Sequence, residues 1–346
     1  MALRTVHLVL GQSNARGAAA KVDLTDARYD VADSDVQAIY VADADPVVGP
    51  ETMTIHAQHF SVDAPIGHRR KAAGEPFPLV IRYGVGGTSL ASSWRPYVST
   101  GEYVNAMAMI WERFDYCRRT AFPGDTFEFR SLTWIQGEAD AKSDADTAAY
   151  EANLRQLIAV VRRDVAPGLP VFVTRLSSSY GQVGSSPART AAIQVAQDTV
   201  GASVERVYVI ETDDVPLQAD ATHYTADAYM MIGDLVADAM EADGLANVEQ
   251  HSQSARTFPA LVDAQTFAGA AQTALGDRDE NPANGGFGSR GSGARDPWPT
   301  TARSAVQKHP YRNEWLVMID AAMDADETLD TDTDRRPIAG DWWHYV

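Results

Sequence analysis

"TVHLVLGQSNARG", residues 5–17, runs an apolar stretch of strand length straight into a Gly-Gln-Ser-Asn turn. Val6, Leu8, Val9 and Leu10 leave little polar alternation, which fits a strand buried on both faces of a parallel sheet. The turn gains backbone freedom from Gly11 and Asn14, but it has no conformational need of Ser13. That hydroxyl either caps a following helix or is held at a strand end to do chemistry.

Similar runs recur along the chain: "VQAIYV" (36–41), "PLVIRY" (78–83), "FRSLTWI" (129–135), "PVFVTRL" (170–176) and "RVYVIE" (206–211). Helical patterns lie between them, at about 101–119, 145–165, 186–200 and 225–242. Within the second of these, Leu154, Leu157, Ile158 and Val161 form one stripe. Strands alternating with helices imply βαβ crossovers, and so an α/β fold: a three-layer α/β/α sandwich. The segment from Ala42 to Phe77 breaks the rhythm and reads as an extended loop region over one edge of the sheet.

After residue 243 the character changes. Residues 1–243 read as one domain, and 244–346 as an irregular, loop-rich C-terminal extension used for packing or assembly. Its "GDRDENPANGGFGSRGSGARDPWP" is rich in glycine and charge, yet the extension holds Trp298, Trp315, Trp342 and Trp343, four of the seven tryptophans. Tryptophan's apolar area calls for burial, so an ordering surface is expected for this part of the chain.

The chain has 346 residues and a formal net charge of −18. Such acidity argues against a phosphate-backbone partner, because nucleic-acid affinity rests largely on Lys and Arg releasing counterions. It equally disfavours docking on an anionic membrane. One cysteine, Cys117, makes no intrachain disulfide and reads as a small helical hydrophobe. The apolar part of "MALRTVHLVLG" is too short for a signal peptide, so a virion-associated or cytoplasmic location is expected.

A serine becomes a nucleophile when a histidine takes its proton and a carboxylate orients that histidine. "QADATHYTADAY" supplies Asp220 and His223, spaced so that the carboxylate can reach one ring nitrogen while the other faces Ser13. Loops at the carboxyl ends of parallel strands converge, so separation in sequence is no obstacle. Donors for an oxyanion come from three places. Gly86 and Gly87 in "RYGVGGTSL" offer backbone N–H groups, Ser13 offers its own amide, and "WIQGEAD" offers the Gln136 side chain.

In this order "GQSNARG", "GGTSL", "WIQGEAD" and "DATHYT" resemble the motif blocks of the SGNH hydrolase superfamily. More narrowly they resemble its sialate O-acetylesterase-like group and carbohydrate esterase family six, over roughly residues 4–242. The resemblance implies a flavodoxin-like sheet and catalysis with no metal or cofactor. It implies that Ser13 is the nucleophile, His223 the base and Asp220 its orienting acid, with Gly87 and Gln136 completing the oxyanion hole. Glu138 is the alternative to Asp220, or a support for the nucleophile loop. Asn14 is either a turn residue or a brace between active-site loops.

Trp94 and Arg95 follow the glycine loop and read either as a sugar-binding wall or as a core residue and a surface ion-pair partner. His56 and His59 are spaced H-x-x-H without a further ligand nearby, and carry no metal assignment. Asp330, Asp332 and Asp334 alternate as in a calcium loop, but Arg335 stands where an EF-hand loop needs glycine, so a solvated acidic loop is expected.

The expected function is therefore removal of acetyl or other short acyl groups from an acetylated carbohydrate. The expected setting is either a virion tail, with the extension binding tail proteins or a second copy, or the cytoplasm. The rival expectation is a structural or receptor-binding tail component that uses a hydrolase fold with little catalysis.

Overall fold

The computed structural model describes residues 2–41, 50–55, 60–96, 101–245, 303–308 and 315–320. Its contacts divide the chain into two units. One comprises residues 1–95, 109–159 and 168–252; the other comprises 96–108, 160–167 and 253–346.

The first unit is built on a sheet of seven strands: β1 (Leu3–Gly11), β2 (Asp33–Val41), β3 (Glu51–Met53), β4 (Leu79–Gly84), β5 (Thr126–Ile135), β6 (Val171–Thr174) and β7 (Val207–Ile210). Their order is β3-β2-β4-β1-β5-β6-β7, and all pair in parallel except β3, which is antiparallel to β2. The stretch β4-β1-β5-β6-β7 has the flavodoxin order, with β2 and β3 added outside β4. β1 lies inside the sheet, and Val6, Leu8, Val9 and Leu10 are at most 1% exposed. Burying each such side chain contributes about 1.5–3 kcal/mol, which is why the run is apolar on both faces. Beyond it, Gly11 has φ +146°, and a β-carbon there would lie 2.0 Å from the Ile135 carbonyl oxygen. Only glycine lets the ends of β1 and β5 come this close.

The helices are α1 (Ser13–Arg16), α2 (Asp63–Ala72), α3 (Glu102–Tyr116), α4 (Asp144–Asp164), α5 (Pro187–Ser203) and α6 (Ala226–Ala242). Helices α3 to α6 fall where the sequence periodicity puts them. A π-helical turn (Cys117–Ala121) follows α3, and Cys117 is buried there, its thiol pushed up to about 12 by burial. Ser186 caps α5 by accepting from the Arg189 amide, and Thr225 caps α6 by accepting from Ala228.

The 42–77 region corrects an expectation. It is not all loop, for it contains β3 and the ten-residue helix α2. Helix α2 buries Asp63, Ala64, Pro65, Ile66, Gly67 and Arg70, a mixed set in which charged residues interrupt the apolar ones. It docks by close approach: a β-carbon on Gly67 would sit 2.6 Å from Val36, and one on Gly233 of α6 would sit 2.1 Å from Pro65. Such contacts leave no helical period in the hydrophobic pattern.

The first unit's described residues run to Leu245, which is buried and whose carbonyl accepts from the Arg130 guanidinium. In the second unit, β8 (Arg303–Lys308) and β9 (Trp315–Asp320) pair antiparallel. Trp298, Trp342, Trp343, Asp330, Asp332, Asp334, His56 and His59 lie outside the described residues.

Candidate active site

β1 is flanked by β4 and β5, so the chain leaves the sheet in opposite directions on its two sides, and a crevice opens beyond the strand ends. Ser13 follows β1, Gly86 and Gly87 follow β4, and Gln136 follows β5. The loop between β7 and α6 brings His223 to the same place.

Ser13 is 6% exposed, and its Oγ lies 2.9 Å from Nε2 of His223. Nδ1 of His223 lies 2.6 Å from Oδ2 of Asp220. The other oxygen of Asp220 accepts the backbone N–H of Thr222 at 2.9 Å and of His223 at 3.0 Å. The turn is closed by Gln218 N–H donating to the His223 carbonyl at 2.7 Å, and Ala221 takes a left-handed φ of +52° to complete it. One aspartate thus shapes the loop and orients the ring. Burial acts to raise the Asp220 carboxyl, but the His223 amide, its ring and the Thr222 amide outweigh it and hold the group below the ordinary carboxylate range.

Asn14 is fully buried and bridges the Ser13 turn to the His223 loop. Its Nδ2 donates to Glu138 Oε1 at 2.5 Å and to the Thr222 carbonyl at 3.0 Å. Its Oδ1 accepts the Tyr229 hydroxyl at 2.8 Å and the Tyr224 amide at 3.3 Å. Ser61 Oγ donates to the Asn14 carbonyl at 2.8 Å. These contacts place Asn14 between the Ser13 turn and the loop that carries His223. Glu138 bonds Asn14, and Asp220 occupies the place beside the His223 ring. Burial pushes the Glu138 carboxyl above its ordinary range.

Gly86 and Gly87 are exposed, and a β-carbon on Gly86 would come 3.7 Å from the Ser13 β-carbon, so this loop borders Ser13. Gly87 has φ +75°, the left-handed region that glycine tolerates. Thr88 Oγ1 donates to the Val85 carbonyl at 2.7 Å and closes the turn.

Gln136 departs from the expected pose. It is 2% exposed, and its Nε2 donates inward, to Asp140 Oδ2 at 2.5 Å, the Thr88 carbonyl at 3.2 Å and Gln12 Oε1 at 3.3 Å. Both amide hydrogens are taken by these acceptors rather than directed at a bound oxyanion. Asp140, four residues further on, received no role from the sequence. Its carboxylate is fully buried and also accepts the Leu90 amide at 2.8 Å and the Ala91 amide at 3.0 Å. The available signal was a second acid in "QGEAD", but its partners lie some fifty residues back.

Trp94 is not a sugar-binding wall. It is fully buried, packed edge-on against Trp134 at 5.0 Å and Tyr83 at 5.8 Å, with Nε1 donating to Thr88 Oγ1 at 2.9 Å. Arg95 beside it is exposed. Among the described residues, no group of three or more His, Cys, Asp or Glu could hold a metal ion.

This order of strand-end motifs has recognisable relatives. Residues 4–242 match the family model described as "Carbohydrate esterase, sialic acid-specific acetylesterase". A probable carbohydrate esterase of Arabidopsis thaliana is 26% identical over 107 residues, which is 31% of this chain and 38% of that protein. Among solved structures, an Arabidopsis thaliana protein superposes with TM-score 0.52 at 21% identity, covering 69% of this chain and 98% of its own. NanS superposes with TM-score 0.50 at 14% identity, covering 70% and 98%. The structural likenesses show the shared α/β fold, and the family model spans all four motif blocks. The chain belongs to the sialic acid-specific acetylesterase family of carbohydrate esterases, which are carboxylic ester hydrolases.

Proposed function

We propose that this protein is a serine esterase that removes O-acetyl groups from a carbohydrate through an acyl-enzyme. The observation that carries this is the relay of Ser13 Oγ, His223 and Asp220, with contacts of 2.9 and 2.6 Å, beneath an exposed glycine loop.

Ser13 Oγ attacks the ester carbonyl carbon while Nε2 of His223 takes its proton. Asp220 holds Nδ1–H, which fixes the tautomer and stabilises the imidazolium. The tetrahedral oxyanion is met by the Ser13 and Gly87 amides, whose fixed dipoles need no reorganisation. Gln136 contributes through the contacts that tie the glycine loop to the end of β5. His223 then protonates the departing sugar oxygen. Water repeats the sequence on the acyl-serine, releasing acetate and restoring Ser13. Family membership supports an acetylated sugar as the substrate class.

The test is acetate release from a short acetyl ester and from O-acetylated sialic acid and xylan, wild type against Ser13→Ala. Circular dichroism checks that the variant folds. The variant should lose at least about 10⁴-fold in kcat. An equally active Ser13→Ala would exclude the relay. A wild type inert on every acetyl ester would exclude the acetylesterase reading.

A further inference from the structure

Two loops must keep their register for the oxyanion site to exist: the one after β4, carrying Gly86 and Gly87, and the one after β5, carrying Gln136. Backbone pairing ends at Gly84 and Ile135, so the sheet ladder does not fix what lies beyond. Side chains span the gap instead: Gln136 reaches the Thr88 carbonyl, and Asp140 gathers donors from both loops. Asp140 takes the Leu90 and Gln136 N–H groups on one carboxylate oxygen and the Ala91 N–H on the other, at 2.8, 2.5 and 3.0 Å.

We propose that Asp140 is a positioning residue for the oxyanion loop, its buried carboxylate clamping residues 88–91 to the end of β5 so that the Gly87 amide stays over Ser13. The inference rests on the esterase reading and deepens it. Three donors converge on one acid with no cation in the set, so the acid holds backbone and amide dipoles rather than an ion pair. The loop's own side chains extend the clamp: Thr88 receives the Trp94 indole N–H, and Trp94 packs on Trp134 of β5. The position also costs something. Burial lifts the Asp140 carboxyl to about 6, an effect that its three donors offset only in part. Glu138, Asp146 and Tyr150 are the other titratable groups that sense it. A group that only filled space here would be better apolar or neutral.

The decisive variant is Asp140→Asn. It keeps the volume and removes the buried charge, so it should fold. Its single carbonyl oxygen cannot replace both carboxylate oxygens, and its NH₂ faces an N–H donor. Two readouts at pH 8, where the wild-type acid is ionised, separate positioning from folding. One is kcat and KM on a short acetyl ester, with active sites counted by titration. The other is the rate at which a fluorophosphonate labels Ser13: Oγ forms the P–O bond as His223 takes its proton, fluoride leaves, and the phosphoryl oxygen sits in the same oxyanion pocket. We expect kcat per titrated site and labelling rate to fall about 10- to 100-fold, with KM within about twofold, since losing one oxyanion donor outright costs about 10²–10³. Gln136→Met, which removes one clamp contact and leaves two, should fall less.

Unchanged kcat per titrated site, with or without a lower Tm, would overturn the proposal, for Asp140 would then be structural only. A loss confined to KM would overturn it as well. Should wild type be labelled but fail to turn over acetyl esters, the acetylesterase reading falls while labelling rates still decide the role of Asp140. Should wild type not be labelled at all, both fall.

Discussion

Asn14 and Glu138, one residue past Ser13 and two past Gln136, are buried together with Nδ2 and Oε1 2.5 Å apart. The same Asn14 amide reaches the Thr222 carbonyl, one residue before His223. A single side chain therefore ties the Ser13 turn to the His223 loop. Asn14→Ala would strand a buried carboxylate, the Tyr229 hydroxyl and the Thr222 carbonyl. Removing one partner of a buried polar group costs about 1–3 kcal/mol, and more for a charged one. Urea unfolding should show a loss of about 3 kcal/mol or more, and kcat per folded molecule should fall about tenfold or more through a displaced His223. A variant destabilised yet with full kcat would make Asn14 a core residue without a catalytic effect.

Asp220 and Glu138 should separate under conservative substitution. Asp220→Asn keeps the side-chain shape and leaves a carboxamide beside His223 Nδ1, favouring the wrong tautomer. A loss of about 10³–10⁴ in kcat follows. Its side chain is 45% exposed, so stability should change little. Glu138→Gln retains an oxygen for Asn14 and should cost less than about tenfold in kcat. If Glu138→Gln proved the more damaging in kcat with its fold intact, the acid assigned to His223 would be wrong.

That Ser13, Asp220 and His223 meet was legible because Ser13 stands just beyond β1 and the other two lie in the loop leading from β7 into α6, where chain order alone predicts convergence. The strands themselves were legible because burial on both faces requires unbroken apolar runs, as in Val171–Thr174. Helix α2 was not, because its docking uses Gly67 and Pro65, and closeness of backbones leaves no hydrophobic period. The inward pose of Gln136 and the clamp by Asp140 were hidden for another reason. A carboxylate's choice between solvent and backbone amides some fifty residues away is decided by tertiary placement, which local spacing does not encode.

Trp94 offers a direct check on that placement. As a fully buried ring between Tyr83 and Trp134, it should behave as core when truncated. Trp94→Ala should lower stability by about 3–5 kcal/mol. At temperatures where it remains folded, KM should stay within about threefold of wild type. Trp94→Phe should recover most of the stability but leave Thr88 without its indole donor. A large rise in KM for a sugar ester, with stability unchanged, would instead put the ring on the substrate surface.

The acid limb of stability should be set largely by a buried cluster at the middle of β1. His7 Nε2 and Glu75 Oε2 are 2.8 Å apart, both wholly buried, with Arg70 on the second Glu75 oxygen at 2.9 Å and Ser131 Oγ 2.8 Å from His7 Nδ1. Burial acts to raise the Glu75 carboxyl, but His7 and Arg70 outweigh it and hold it at about 2, against an ordinary 4.5. A depressed native value means the contribution is complete above pH 4.5 and is lost as pH falls from there towards 2. At about 1.4 kcal/mol per unit this amounts to roughly 3 kcal/mol. Asp140 has the opposite sign: its native value of about 6 makes its burial costlier as pH rises from 3.8 to 6. Comparing wild type with Glu75→Gln cancels that second effect. Urea midpoints should show the variant weaker by roughly 3 kcal/mol at pH 7, with the gap closing steadily between pH 4.5 and 2. A gap that stayed constant across that range would mean Glu75 stabilises by packing alone, and that its charge contributes nothing to the acid limb.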